Sequence, residues 1–315
     1  MKDAILTSYE IRKSNKEKTF FIEYIKARLS QSGYDIEKDI TVESSGNGPL
    51  LSRNIIVGNP DTAKIFVTAH YDTCAMLPFP NVMSPSNPLL YILGQLLITV
   101  ALFLLVFMVV IPVDLIFNNP LITYYTFLVS LWGLVFYMMF GYRNSHTAND
   151  NTSGVIAITK ILEALPVEQR GKVCAVYFDN EEKGLLGSSD FAKKHKKNAN
   201  DKLLLNFDCI GDGEYVSSFA KKGAMKDENY ALLIESLIEN TKDFEVQSLN
   251  KKVLPMMFPS DNMHFKKGIG FCALKKSVFG LYTARIHTPF DTKCSETNIE
   301  YLVKSIVDCI RKIDA

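Results

Sequence analysis

Two adjacent acids, Glu181 and Glu182, close an apolar run (176–178), and a glycine then opens a predicted helix. Paired glutamates on a solvated helix usually serve only solvation. At the carboxyl end of a buried strand they stand where open α/β sheets place ligands, and there one carboxylate can hold a metal while its neighbour moves a proton. The chain offers partners at comparable positions. His70 and Asp72 follow the run K-I-F-V-T-A, Asp150 precedes an apolar helix, Asp208 follows residues 203–207, and His287 stands in a loop. Imidazoles mixed with carboxylates suit zinc or a similar divalent cation. Taken singly, Asp150 could equally cap a helix and Asp72 could be a turn residue. His146, His195 and His264 carry no motif and read as surface or loop residues.

The elements that must position these groups alternate between strand and helix. Ser14 caps a predicted helix over 14–30, with Phe20, Phe21, Tyr24, Ile25 and Leu29 on one face and Lys and Glu on the other. Short runs at 40–42, 54–57 and 64–68 read as strands. Beyond residue 154 the pattern predicts helices at 155–165, 184–197, 227–240 and 297–313, and strands at 172–178, 203–207 and 271–274. Such alternation predicts an α/β sheet sandwiched between helices.

One stretch does not fit. Between Asp72 and Arg143, Asp114 is the one charged side chain. Residues 89–113 and 121–142 are charge-free apolar runs, each longer than the roughly 20 residues that cross about 30 Å of hydrocarbon as a helix. V-D-L-I-F-N-N-P separates them, and some of the aromatic residues Tyr124, Tyr125, Trp132, Tyr137 and Tyr142 fall where an interfacial belt would lie. The direct reading is a two-pass transmembrane hairpin, residues 88–141, inserted into one catalytic domain made of 1–87 and 142–315. Soluble core helices seldom run so long without a charge. The connecting loop carries no Lys or Arg, whereas Arg143 and the lysines of the main domain lie beyond the hairpin ends, which puts that domain in the cytoplasm.

A formal charge of +1 gives no sign of a nucleic-acid partner, and the lysines of 193–197 read as a solvated helix face. The six cysteines, Cys74, Cys174, Cys209, Cys272, Cys294 and Cys309, stand singly. Without a C-x-x-C pair a cysteine zinc site is not expected, and buried free thiols favour a reducing compartment. The charged N-terminus has no signal-peptide core.

Six segments occur in one order: A-H-Y-D-T (69–73), N-D-N-T-S-G-V (149–155), D-N-E-E-K-G-L-L-G-S (179–188), N-F-D-C-I-G (206–211), P-S-D-N-M-H-F (259–265) and I-H-T-P-F-D-T (286–292). This order resembles the di-zinc exopeptidases that include bacterial leucyl aminopeptidase, aminopeptidase Y, glutamate carboxypeptidase and glutaminyl cyclase. It spans the chain from about residue 55 onward, the apolar insert excepted. The resemblance implies a mixed, mostly parallel central sheet with helices on both faces. It also implies two Zn²⁺ ions bridged by Asp150, with His70 and Asp208 completing one site and Glu182 and His287 the other. Asp72 would orient His70, and Glu181 would take a proton from the metal-bridged water and pass it to the leaving amine. The activity implied is a membrane-anchored aminopeptidase acting on peptides. Glutaminyl cyclase and carboxypeptidase are alternatives within the family, and a metal-free receptor or scaffold is the alternative from another class. All six ligand and base positions hold competent residues, which argues against the inert form. Two departures stand out. Asn262 occupies a position where relatives often carry histidine, and the short relative loop between H-x-D and the bridging aspartate here carries the hairpin. Asp261 and Tyr282 are expected on the pocket wall.

Overall fold

The computed structural model describes residues 3–77, 79, 81–244, 246–252 and 258–313, with backbone alone over 250–252. Helices α1 (Ala4–Ser8) and α2 (Asn15–Gln31) lead into β1 (Ile40–Ser45), β2 (Ser52–Val57) and β3 (Ile65–His70). The apolar insertion follows as α3 (Pro88–Phe117) and α4 (Pro120–Phe140). After it come α5 (Gly154–Ala164), α6 (Val167–Arg170), β4 (Val173–Phe178), α7 (Leu186–Lys194), α8 (Lys196–Asp201), β5 (Leu203–Phe207) and β6 (Tyr215–Ala220). The chain closes with α9 (Glu228–Phe244), β7 (Gln247–Lys252), β8 (Gly268–Ser277), β9 (Gly280–Tyr282) and α10 (Glu296–Lys312).

Alternation along the strands decides the layers. Ile65, Val67 and Ala69 of β3 join a core with Ile25, Ile158 and Leu302 from α2, α5 and α10, while Phe66 faces the opposite way, onto Phe178, Phe191 and Phe265. Both faces are therefore covered, as a parallel sheet requires. The strand order is β1-β2-β4-β3-β5-β8-β6-β7, with β9 on β8. Strands β4, β3, β5 and β8 are parallel; β1 and β2 are antiparallel at one side, and β6 is antiparallel to β8. The sheet is mixed, with its parallel part at the centre.

Local sequence explains most element boundaries. Ser14 and Glu17 form a reciprocal capping box at the start of α2, with bonds of 3.2 and 2.8 Å. Lys18, expected among the solvated residues of that helix, is instead buried and paired with Asp179 at 2.5 Å. The helix expected from residue 184 begins at Leu186. Gly184 and Leu185 have φ of +99° and +60°, and a Cβ on Gly187 would lie 2.3 Å from the Asp179 carbonyl oxygen. The chain must turn sharply off β4 before it can wind, and glycine permits the close approach. Strands β6, β7 and β9 have no sequence counterpart above. Y-V-S-S-F-A and Q-S-L-N-K-K are too polar to register as buried runs, and both lie towards one edge of the sheet.

The insertion forms two antiparallel helices. At 1.5 Å per residue, their 30 and 21 residues extend about 45 and 32 Å. Both are long and apolar enough to cross a membrane. Asn87 and Asn119 cap them, each accepting two backbone N–H groups, and Pro88 and Pro120 occupy the first helical positions. Helix α3 contains Pro112, continues through Asp114, where a break was expected, and stops at left-handed Asn118. Thr123 donates to Asp114 at 2.5 Å across the turn. At the other end Met76 N–H donates to Tyr142 O (2.8 Å), and Ala75 bridges to Arg143, so the two ends of the insertion leave from one place.

Candidate metal centre

The carboxyl ends of three parallel strands meet at one point. β3 ends on His70, β4 runs out through Asp179 into Glu181 and Glu182, and β5 is followed by Asp208. Asp150 arrives on the segment that starts α5, and His287 on a loop after β9. The Asp150–Asn151 peptide is cis. Asp150 does not cap α5. Asn151 takes that part, its Oδ1 accepting Gly154 N–H at 3.1 Å and Cys209 N–H at 3.3 Å. His287 has a φ of +64°, in the left-handed region that costs a non-glycine residue of order 1–2 kcal/mol. Leu77 N–H to His287 O (2.8 Å) and Asn144 Nδ2 to Thr288 O (2.9 Å) hold it there.

Asp150 lies between the two histidines. Its Oδ1 is 3.3 Å from His70 Nε2, and its Oδ2 is 3.1 Å from His287 Nε2. Asp208 Oδ1 is 3.7 Å from His70 Nε2, and Glu182 Oε2 is 3.4 Å from His287 Nε2. Glu181 and Glu182 together with His70, and Cys74 with Glu182 and His287, form further groups whose ligand atoms fall within 4.8 Å of one another. All seven sequence-predicted residues thus fall into one cluster. Asp72 sits there with a different emphasis. His70 Nδ1 faces the Asp72 backbone carbonyl at 3.1 Å, with the carboxylate at 3.7 Å, while that carboxylate accepts the N–H groups of Glu181 (2.9 Å) and Glu182 (3.2 Å). Asp72 therefore sets the backbone of the glutamate pair as well as the imidazole.

A carbonyl can only accept, so His70 Nδ1 carries the proton and Nε2 turns towards two carboxylates. Burial alone would keep His70 neutral, but Glu181, Asp150 and Asp208 outweigh it and raise its pKa well above 6.5. Burial likewise opposes ionisation of Asp150, yet the two histidines hold its carboxyl well below the usual range. Asp72, stabilised by His70, Lys18 and the Glu181 amide against its burial, falls to about 2. Burial, with the charge of Glu182, Asp261 and Asp208, pushes Glu181 well above 4.5, and burial with Asp150 does the same for Glu182. Many acids in little water need cations. Glu182 Oε1 is buried without a hydrogen-bond partner, and the nitrogen–oxygen donor set fits a divalent metal such as zinc.

The profile of peptidase family M28 matches residues 136–302. The chain belongs to that family. No curated protein matches it. Among solved structures it is similar to the Legionella pneumophila LapA aminopeptidase (13% identity, 98% of this chain and 69% of that one, TM-score 0.53). It is also similar to the glutaminyl cyclases of Bacteroides thetaiotaomicron (13%, 98% and 94%, 0.58) and Porphyromonas gingivalis (12%, 98% and 94%, 0.58). These likenesses establish the fold. Membership makes this M28 chain a metallopeptidase by class.

Several residues around this cluster had no individual signal in the sequence. Asp291 accepts Asn149 N–H (2.9 Å) and Asp150 N–H (3.0 Å), so it aims the central aspartate; burial and Asp150 raise its carboxyl to about 8, against the pull of those amides. Arg12, wholly buried, donates to Tyr71 O and to Thr152 Oγ1 and thereby ties the His70 and Asp150 segments together. Lys18 bonds Asp179 and Asn180 at the foot of the glutamate turn. These lie in segments whose charge pattern looked solvated. Asp261 is fully buried with neither oxygen hydrogen-bonded, and burial beside Asp72 and Asp208 lifts it to about 7 against the pull of His70. Tyr282 is half-buried on β9, and no hydrogen bond or ion pair among the described residues joins it to the cluster. His146 is largely exposed near Glu10, and His195 pairs with Glu43 away from the centre.

Proposed function

We propose that this chain is a membrane-anchored, zinc-dependent aminopeptidase, with residues 1–87 and 142–315 as one catalytic domain and 88–141 as its anchor. The observation that carries the reading is the Asp150 carboxylate, with one oxygen 3.3 Å from His70 and the other 3.1 Å from His287. One carboxylate facing two imidazoles supports two cation positions, with Asp208 beside His70 and Glu182 beside His287. Zinc ions held there would supply Lewis acidity towards a peptide carbonyl and lower the pKa of nearby water. Glu181 is the residue assigned to proton movement. Burial and the neighbouring carboxylates raise its pKa above the ordinary carboxyl value, the direction that makes a carboxylate a better proton acceptor. Glu182, directed at His287, is the ligand. Asp72 fixes the relation between the two by holding both amides. An excess of carboxylates also favours a free α-ammonium over a free carboxylate, hence an N-terminal over a C-terminal exopeptidase.

Helices α3 and α4 support the anchor through their length and outward-facing hydrocarbon. Lys13 donates to Met139 O at 3.1 Å, Arg143 pairs with Glu17 at 2.7 Å, and Lys183 lies over the Phe140 ring at 5.4 Å. Basic residues thus ring the base of α4, whereas the Asn118–Asn119 turn has none, which favours a cytoplasmic catalytic domain.

The test is Glu181→Gln in detergent-solubilised protein assayed on an aminoacyl-reporter panel, with chelator and with added zinc. Turnover is expected to fall by roughly 10²–10⁴-fold with metal content unchanged; unaltered turnover would refute the assignment of Glu181. One bound zinc with cyclisation of N-terminal glutamine would transfer the site to the cyclase reaction.

A further inference from the structure

Beside Glu182 and His287 stands a third donor of different chemistry. The Cys74 thiol is buried, and its sulfur lies within 4.8 Å of ligand atoms of both residues, which are themselves 3.4 Å apart. Its position is built by the same segments that bring the other two. Asn144 Nδ2 donates to Cys74 Sγ at 3.7 Å and to Thr288 O at 2.9 Å, and Asn144 N–H donates to Cys74 O at 3.3 Å. Leu77 N–H, three residues on, bonds His287 O at 2.8 Å. The thiol is therefore fixed to the His287 loop from both sides. Glu182 adds a side chain more than nine-tenths buried, with Oε1 out of water and without a hydrogen-bond partner. A buried acceptor, an imidazole and a thiol at one corner make a donor set, where a thiol alone would be only a small apolar filler.

We propose that Cys74 is a protein ligand at the cation position formed by Glu182, His287 and one oxygen of Asp150. The proposal rests on the metal-centre reading above. The two positions then differ in kind. The His70–Asp150–Asp208 position offers nitrogen and oxygen alone, while the Glu182–His287 position adds sulfur. On coordination the S–H bond breaks, its proton passes to solvent, and a sulfur–metal bond forms. A thiolate favours zinc or cadmium over magnesium or manganese, so the sulfur position should fill first and tightest. It also neutralises more of the ion's charge, leaving the stronger Lewis acid on the His70 side. Spacing along the sequence could not show this, since Glu182 and His287 lie more than 100 residues from Cys74.

The test uses the full chain in detergent, loaded with Co²⁺ for absorption and with Zn²⁺ for X-ray absorption. The wild type is expected to show thiolate-to-cobalt charge transfer in the near ultraviolet and one sulfur scatterer about 2.3 Å from zinc. Cys74→Ser should lose the band and hold one ion at least tenfold more weakly, whereas Cys309→Ala, altered in the distant core of α10, should keep both. Two ions bound to the wild type without a sulfur scatterer overturn the proposal and leave the metal centre standing; no bound ion overturns both. A band that persists in Cys74→Ser also overturns it. If Cys74→Ser does not fold, the wild-type zinc spectrum decides alone.

Discussion

The carboxyl edge of the sheet and the α3–α4 hairpin invert the ordinary partition of polar and apolar groups in opposite directions. At the sheet edge Asp72, Asp150, Asp208 and Asp261 are buried together with His70. In the hairpin Leu97, Met108, Leu115, Val129 and Trp132 are largely exposed. Helix α5 shows that the chain can do otherwise: it is a largely apolar helix and buries Val155, Ile158, Ile161 and Leu162 against the sheet. In α3 the buried residues are Val106 and Val110. The difference points to different surroundings. Buried acids are tolerable beside cations, and exposed hydrocarbon is tolerable in hydrocarbon. In the proposed reading, each inversion is matched to its own medium, and the two can be disturbed separately.

The largest effect should come from removing one of them outright. Replacement of residues 88–141 by a short Gly/Ser loop is expected to move the protein from the carbonate-washed membrane to the supernatant with its metal content intact. The Met76–Tyr142 and Ala75–Arg143 pairing brings the loop ends together, so the cut should be tolerated. A variant that stays in the pellet would end the anchor hypothesis.

A single charge separates the regions more finely. Ile158→Lys puts an ammonium at a fully buried point of α5 and is expected to destabilise the fold by more than about 4 kcal/mol, leaving little folded protein. Leu104→Lys, on a position 59% exposed, should leave the thermal midpoint of the detergent-solubilised protein unchanged. Its cost should appear in membrane integration, at about 2.5–3.5 kcal/mol near a helix centre. Equal loss of folded protein from both substitutions would mean that α3 is a core helix after all.

These contrasts also explain what was readable. The two long apolar helices could be read from composition because each contains a long, charge-free run. The strands that carry the candidate donors could be read because they are buried on both faces, and the candidates were singled out because several motifs occur in one order. The supporting residues were not legible one at a time. Arg12 and Lys18 look like any cation in a charged segment; only folding shows that each is enclosed and tied to a donor segment. Asp291 stands among the residues of I-H-T-P-F-D-T, yet its aim at the Asn149 and Asp150 amides depends on a contact across 141 residues. Strands β6 and β7 were missed for the opposite reason, since a strand near a sheet edge needs little hydrophobicity.

The smallest effect tests the acid side of the comparison through Asp261. Its folded pKa is raised to about 7 by burial, above the usual carboxyl value. A carboxyl shifted upward is protonated in the folded state and ionised in the unfolded state across the window between those values. Its contribution is therefore present below pH 4 and is lost as pH rises towards 7, with a slope of at most one proton, about 1.4 kcal/mol per pH unit. Asp261→Asn should remove this component from the pH dependence of the thermal midpoint in metal-free protein. Added zinc should flatten it in the wild type, because nearby cations favour the ionised form. If the asparagine variant and the wild type show the same slope, Asp261 is not the group responsible. If zinc leaves the wild-type slope intact, the cations do not sit close enough to Asp261 for it to share the pocket wall with them.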